Sequence, residues 1–372
     1  MENSLSKNNS NRLLSLDFMR GLVMVLLTLE TTELYPHIRE CITDKESFGF
    51  KIISQFFHNQ WVGLHFWDLI QPAFMFMAGV SMAYSLTSQT SNGVSWNQQL
   101  IKTLKRCGLL LFFGLFKRIH DPNWLSLEAL DVTDILTQLA FTTLIAFLLF
   151  NLKSKFQILA CLGILVLTEL LYRYNPINGY NQAFVDGKNF GDYIDLILFG
   201  QHTHGYVFIN WLPTAVHTIA GTIVGKMFIQ NRNQLKYLLI VGIVSLVAGY
   251  GISAANITPI IKPIATSSFM LASLGFCMLA LALCYWWIDI KLNRKGLLLF
   301  QVVGMNSIFV YLFCDTVGKH WLNEYVEIIT LPIFKLTGLA DNIIMVLISL
   351  SIFAVEWGVF YFLYKKKIFF KL

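Results

Sequence analysis

Long apolar stretches recur along this chain, separated by shorter polar breaks. A helix crossing a hydrocarbon core of roughly 30 Å needs about 20 mainly apolar residues. Ten runs approach that length: Leu13–Glu33, Leu69–Thr87, Lys102–Phe116, Ile135–Phe150, Phe156–Tyr172, Val207–Ile229, Leu238–Ala255, Ser268–Trp287, Leu297–Val317 and Ile343–Tyr364. The third and fourth are the shortest. A weaker stretch, Val326–Leu339, holds Pro332 and Gly338 and reads as a re-entrant or interfacial piece. The pattern predicts an all-α polytopic membrane protein of about ten transmembrane helices. It comprises a polar tail over 1–12 and a single transmembrane domain over 13–372, with long outer loops at 35–67 and 173–206. The tail Glu2–Asn11 is polar, and the first span is too long for a secretory signal and has no small-residue cleavage site, so no cleaved signal is expected.

Composition narrows the class further. Of 372 residues, 55% are hydrophobic and only 13% charged, about half the charge a soluble domain carries. With 31 Phe and 9 Trp and a mean hydropathy of +0.58, the chain is neither a soluble enzyme nor disordered.

The basic residues orient the spans. The termini and even-numbered loops hold 17 of the 28 Lys and Arg, the other loops hold 10, and Arg20 lies inside the first span. The positive-inside rule places both termini in the cytoplasm. The net charge of +6 then describes a basic cytoplasmic rim facing anionic lipid or an anionic cofactor, and calls for no nucleic acid. Six scattered cysteines offer neither an outer disulfide framework nor a Cys-x-x-Cys metal spacing. The absence of a visible internal repeat counts against an inverted-repeat transporter.

Polar residues inside the spans are where chemistry is to be sought, because an ionisable group near a span centre costs roughly 2.5–3.5 kcal/mol on insertion scales. Asp17 and Arg20 share one face of the first span, and Thr28 and Thr31 continue that stripe past Met24 for about 21 Å of helix rise. The stripe reads either as a buried ion pair fixing helix packing or as one wall of a polar conduit. Glu30 and Glu33 lie on another face near the outer mouth, where solvation alone accounts for them.

Asp68 with Gln71 three residues on reads as a capping box opening the second span. Ten residues before Asp68 stands His58, flanked by aromatics in Phe56-Phe57-His58-Asn59-Gln60-Trp61. An imidazole beside a carboxylate serves as a general base or acyl acceptor, although a lone loop histidine is more often a surface residue. Gln138, Glu169, His217, Asn256, Asn306, Asp315 and Glu356 read mostly as interhelical hydrogen bonders. His202 and His204 alternate on the second outer loop, but no third ligand stands at a usable spacing, so no metal is expected.

At these residues the sequence resembles a known family. Leu16-Asp17-Phe18-Met19-Arg20-Gly21 and Phe57–Met77, with His58, Trp61, Gly63, Asp68, Pro72 and Phe76, are similar to the heparan-alpha-glucosaminide N-acetyltransferase family. Further matches are Thr137-Gln138-Leu139, Pro213-Thr214, Pro259-Ile260-Ile261-Lys262, Ser267-Ser268-Phe269 and Gly304-Met305-Asn306-Ser307-Ile308. Their order and spacing carry the likeness from about residue 12 to the C-terminus, in what looks like the compact form of a bacterial inner membrane.

The resemblance implies a transmembrane acetyltransferase that takes acetyl-CoA from the cytoplasm and acetylates an amino sugar or glycan on the other side. It implies His58 as the active-site histidine and Asp68 as its acid. Leu29-Glu30-Thr31 departs from a Val-Asn pair common in the family, and Leu139 from an Arg, which bears on the acceptor. The coenzyme phosphates belong at the basic rim, with Arg20, Lys105 and Arg106 as candidates. The pantetheine arm would follow Asp17–Thr31, with Asn306 a further cofactor contact. Trp61, Trp211 and Glu30 are candidates for the sugar, with Trp67 nearby and an interfacial tryptophan belt as the plainer reading. A secondary transporter of a small polar solute and a non-catalytic membrane partner are the rival functions, and a homodimer stays open.

Overall fold

The computed structural model describes residues 13–117, 133–200, 206–231 and 233–370. They form helices α1 Leu14–Thr31, α2 Leu34–Glu40, α3 Phe48–Ser54, α4 Ile70–Ser91, α5 Trp96–Phe116, α6 Ile135–Phe150, α7 Ser154–Arg173, α8 Phe190–Phe199, α9 Trp211–Gln230, α10 Leu235–Ala254, α11 Ser267–Cys284, α12 Leu298–Gly304, α13 Ser307–Phe313, α14 Asn323–Lys335 and α15 Asp341–Lys365. No strand occurs among the described residues. The nearest thing to one is a single antiparallel bridge between Val62 and Ile261.

The chain is therefore an all-helical polytopic membrane protein. Six helical stretches are long and apolar enough to cross a bilayer, those containing α4, α7, α9, α10, α11 and α15. They become seven if the bent pair Leu298–Gly304 and Ser307–Lys335 forms one span. Each of the ten apolar runs has a helical counterpart, but α1 carries Asp17, Arg20 and Glu30, and α6 has only 16 residues. The ninth run is not the continuous span expected. Asn306 takes non-helical dihedrals and the axis turns by 80° there. The weaker stretch after it, expected to be re-entrant or interfacial, carries the same helical path on to Lys335 through a π-helical turn at Cys314–Leu322.

Among the described residues the helices group into two compact units, one within 13–58, 65–67 and 283–370, the other within 59–64 and 68–282. In the first, α1 packs on α12. A Cβ at Gly21 would run into the Phe300 carbonyl, so glycine there sets the approach of the two backbones. The start of α1 has no capping side chain of its own. The Asp289 carboxylate instead accepts from the backbone N–H groups of Leu14 (3.3 Å) and Ser15 (3.0 Å). This satisfies two of the four orphan donors of a helix N-terminus with a charge of the favourable sign.

The second unit is built around α9, which packs on α4, α6 and α7. The α4–α9 contact is backbone to backbone, since a Cβ on Gly79 or Gly221 would collide with the carbonyls of Thr218 or Phe76. Around it Phe76, Val80, Ala83, Val216, Ile219 and Phe269 are buried. Polarity is distributed as lipid demands: Thr214, His217, Thr218 and Thr222 of α9 are inside, whereas Leu159, Leu162, Val166 and Leu170 of α7 are exposed. Hydroxyls spend their protons locally, as Thr222 does on Ile219, and His217 Nε2 meets Ser273 Oγ at 2.9 Å.

Candidate functional site

In the first unit, the segment from α3 to residue 58 folds beside the end of α1. The Ser47 hydroxyl caps α3 at Phe50 N–H (3.2 Å), and Gln55 receives the backbone N–H of Trp67 on its carbonyl (2.9 Å) and of Phe66 on its side chain (3.2 Å). Trp67 is buried, and its indole donates to Glu30 Oε1 at 2.9 Å. Tyr35 packs edge-on against Trp67 and donates to the Leu26 carbonyl at 2.9 Å. Burial, and next the Glu30 charge, pushes this phenol up, so it stays a donor. Glu30 is thus a hydrogen-bond acceptor for a buried indole as well as a surface charge. His58 follows these residues and is exposed.

The stripe on α1 is a structural feature of the same unit. Arg20 Nη1 lies 3.7 Å from Asp17 Oδ1. Thr28 donates to the Met24 carbonyl (2.9 Å) and Thr31 to that of Thr28 (2.8 Å), so both hydroxyl protons are turned onto their own helix. Beyond Thr28 stand Cys314 and the buried Glu356. The Asn306 carboxamide clasps the chain end, donating to the Ile368 carbonyl (3.3 Å) and accepting from Phe370 N–H (2.9 Å).

In the second unit, Asp68 departs from the expected capping box. The first turn before α4 is a 3-10 helix over Phe66–Leu69, and α4 has no side-chain cap. Gln71 instead bonds Gln138 of α6. Asp68 Oδ2 accepts from Asn59 N–H at 3.3 Å, and Lys262 Nζ lies 3.4 Å from Oδ1. Both residues are buried, Asp68 at 1% exposure and Lys262 at 5%. A carboxylate and an ammonium withdrawn from water are tolerated together because each offsets the other's desolvation.

Several backbone bonds seat Lys262. Asn210 Nδ2 donates to the carbonyls of Lys262 (2.9 Å) and Pro263 (2.6 Å), and Gly63 N–H donates to that of Ile260 (2.8 Å). Trp61 donates to the Phe184 carbonyl at 2.8 Å and packs on Tyr172, Val207, Ile261 and Ile264. Trp211 stacks on Phe141 with centroids 5.1 Å apart, and its buried indole nitrogen has no partner among the described residues.

The basic candidates Lys105 and Arg106 lie at the other end of α4. Ser95 and Gln98 form the capping box that starts α5, and Gln99 Nε2 donates to Thr90 Oγ1 (2.9 Å), joining the end of α4 to α5. Between them opens a cavity of about 380 Å³ lined by Ser85 and Gln89 of α4, Lys102, Lys105 and Arg106 of α5, and Thr143 of α6. Arg106 Nε, a donor, and Gln89 Oε1, an acceptor, are buried with no partner among the described residues. From Asp68 to Ser85 the helix rises about 25 Å at 1.5 Å per residue, close to the roughly 30 Å of a hydrocarbon core.

The structure therefore brings together Lys105 with Arg106, Asp17 with Arg20, and Glu30 with Trp67. It gives Asp68 a partner that residue spacing did not suggest. Lys262 was legible only as the last residue of the Pro259-Ile260-Ile261-Lys262 match, and Asn210 only as a residue inside the Val207–Ile229 run. His202 and His204 lie outside the described residues, and no cluster of three metal-ligating side chains occurs among the described ones.

Comparison with known proteins gives three matches. The model of a family described as "Domain of unknown function (DUF5009)" matches residues 12–215, more than half of the chain. Heparan-alpha-glucosaminide N-acetyltransferase from Mus musculus is 24% identical over 430 aligned positions, covering 98% of this chain and 61% of the relative. The Homo sapiens protein of the same name is 24% identical over 364, covering 81% of this chain and 52% of the relative. The chain thus spans less than two thirds of the length of the curated relatives it matches, and the resemblance drawn from its motifs is borne out.

Proposed function

The chain belongs to the DUF5009 family, and on that premise we propose that it is a transmembrane acetyltransferase. In this reading acetyl-CoA is held on the basic side of the membrane, and an amino sugar or glycan amine is acetylated on the other side. The observation that carries it is the layout of the second unit. One continuous helical stretch, Phe66–Ser91, has the buried Asp68–Lys262 pair at its start and the cationic cavity at its end.

The cavity fits the coenzyme's chemistry. Lys105 and Arg106 would meet phosphates, and the orphaned Gln89 carbonyl is an acceptor for an adenine amino group or a hydroxyl. Acetyl-CoA supplies an activated acyl group as its thioester. His58 either takes the proton of the attacking amine as general base or accepts the acetyl group first, and Asp68 is the acid proposed to work with it. In this reading both termini are cytoplasmic, which the excess of Lys and Arg in the termini and even-numbered loops supports, and the proposed membrane is a bacterial inner membrane.

Purified protein in nanodiscs, given acetyl-CoA and glucosamine as probe acceptor, tests this. Wild type is expected to bind acetyl-CoA and release free coenzyme. His58→Ala is expected to bind it and release none. Wild type that neither binds nor turns over the thioester removes the reading.

One observation favours a second reading. The 80° break at Met305–Asn306 is the kind of discontinuous helix that transporters use for substrate sites. Solute flux into liposomes without acetyl-CoA, abolished by Asn306→Ala, would select it.

A further inference from the structure

We infer that Lys262 is a positioning residue for this reaction: its ammonium fixes the Asp68 carboxylate as an oriented anion at the head of α4. The inference rests on the acetyltransferase reading, which gives Asp68 its task, and adds the residue that holds Asp68 in place.

The argument begins with the loop that presents Lys262. Residues 259–266 reverse direction through Ala265, whose φ of +47° is left-handed, a conformation that costs a residue with a Cβ about 1 kcal/mol or more. The reversal is stabilised by Thr266, whose hydroxyl oxygen accepts from Ile261 N–H (3.0 Å) and whose proton goes to the Pro259 carbonyl (2.8 Å). Asn210 on one side and Gly63 on the other take the carbonyls of Lys262, Pro263 and Ile260. Every bond in this set acts on backbone, and together they define where the Lys262 side chain departs.

The side chain then reaches the Asp68 carboxylate. Nζ stands 3.4 Å from Asp68 Oδ1 and 5.2 Å from the centroid of the Tyr206 ring, a cation–π distance. The other oxygen, Oδ2, is held by Asn59 N–H, the backbone donor next in sequence to His58. A carboxylate with one oxygen on a fixed ammonium and the other on a fixed amide has little freedom to rotate. That is the condition under which an acid orients a neighbouring base instead of merely charging its surroundings. A structural pair alone does not call for this: buried ion pairs are poor stabilisers compared with apolar packing, and this one is seated by a strained loop.

Four proteins in nanodiscs separate the outcomes: Asp68→Asn, Lys262→Met, Lys262→Arg and the neutral double variant Asp68→Asn/Lys262→Met. Each is assayed for acetyl-CoA binding, for turnover with glucosamine and for melting temperature. Lys262→Met is expected to lower kcat roughly tenfold or more while the KM for acetyl-CoA moves less than about twofold. Lys262→Arg, which keeps the charge, is expected to recover most of that loss. The double variant buries no unpaired charge and is expected to melt near wild type yet be no more active than Asp68→Asn, because the two residues act as one unit. A double variant with restored turnover, or a Lys262→Met with wild-type kcat, overturns the inference. Should Lys262→Met not fold, the double variant and Lys262→Arg still decide it. Wild type without acetyl-CoA binding or turnover defeats the parent reading instead.

Discussion

The indole N–H of Trp67 donates to the Glu30 carboxylate at 2.9 Å, tying the aromatic floor of the first loop to the last turn of α1. Trp67 is 2% exposed, so its N–H has no ready access to water. A hydrogen bond to a charged acceptor contributes about 1.5–3 kcal/mol. Trp67→Phe is therefore expected to lower the melting temperature measurably, while Glu30→Gln, which keeps an acceptor oxygen, costs less. Equal melting of Trp67→Phe and wild type would return Glu30 to the role of a solvated surface charge.

The α4–α9 crossing supplies a sharper contrast. A side chain at Gly79 or Gly221 meets backbone on the facing helix, which has no rotamer with which to yield. Gly221→Leu is expected to abolish folded protein on size exclusion. Gly163 on the exposed face of α7 has open space around it, and Gly163→Ala is expected to be neutral or to stabilise by at most about 1 kcal/mol.

These cases show what residue patterning conveys and what it omits. Hydrophobic runs marked the helices because lipid-facing residues such as Val166 and Val247 must be apolar whatever they touch. Capping boxes depend on three-residue spacing, and Ser95 with Gln98 forms one while Asp68 with Gln71 does not. The difference lies in partners distant along the chain: Lys262 takes Asp68 and Gln138 takes Gln71. The break at Asn306 was equally hidden, because Gly304-Met305-Asn306 sits inside the Leu297–Val317 run with no proline to announce it. Nothing in the residue pattern links Asp289 to the start of α1, some 275 residues away, which it caps in the fold. Lys105 and Arg106 were legible as a basic rim, but the unpartnered Gln89 oxygen beside them was not.

The cationic cavity predicts a graded, salt-sensitive affinity. Removing one charged contact to a phosphate costs about 1.5–3 kcal/mol, roughly tenfold or more in affinity. Arg106→Gln and Lys105→Gln are each expected to weaken acetyl-CoA binding by that factor in isothermal titration. Lys155→Gln, an exposed lysine on α7 outside the cavity lining, is expected to leave it unchanged. Rising salt should weaken wild type more than either cavity variant, because screening acts on the charge that the variants lack. Identical affinities for all three variants would separate the cavity from the coenzyme.

The Asn306 clasp predicts local, not global, loosening. Its carboxamide holds Ile368 through one bond and Phe370 through another, and a neutral hydrogen bond contributes about 0.5–1.5 kcal/mol net. Asn306→Ala is expected to speed hydrogen exchange at the Phe370 amide by roughly two- to tenfold, with the α4–α9 amides unaffected. Asn306→Asp keeps the acceptor oxygen but loses the donor, so Phe370 should stay protected while the Ile368 contact is lost. If Asn306→Asp exchanges as fast as Asn306→Ala, the acceptor bond is not what holds the chain end.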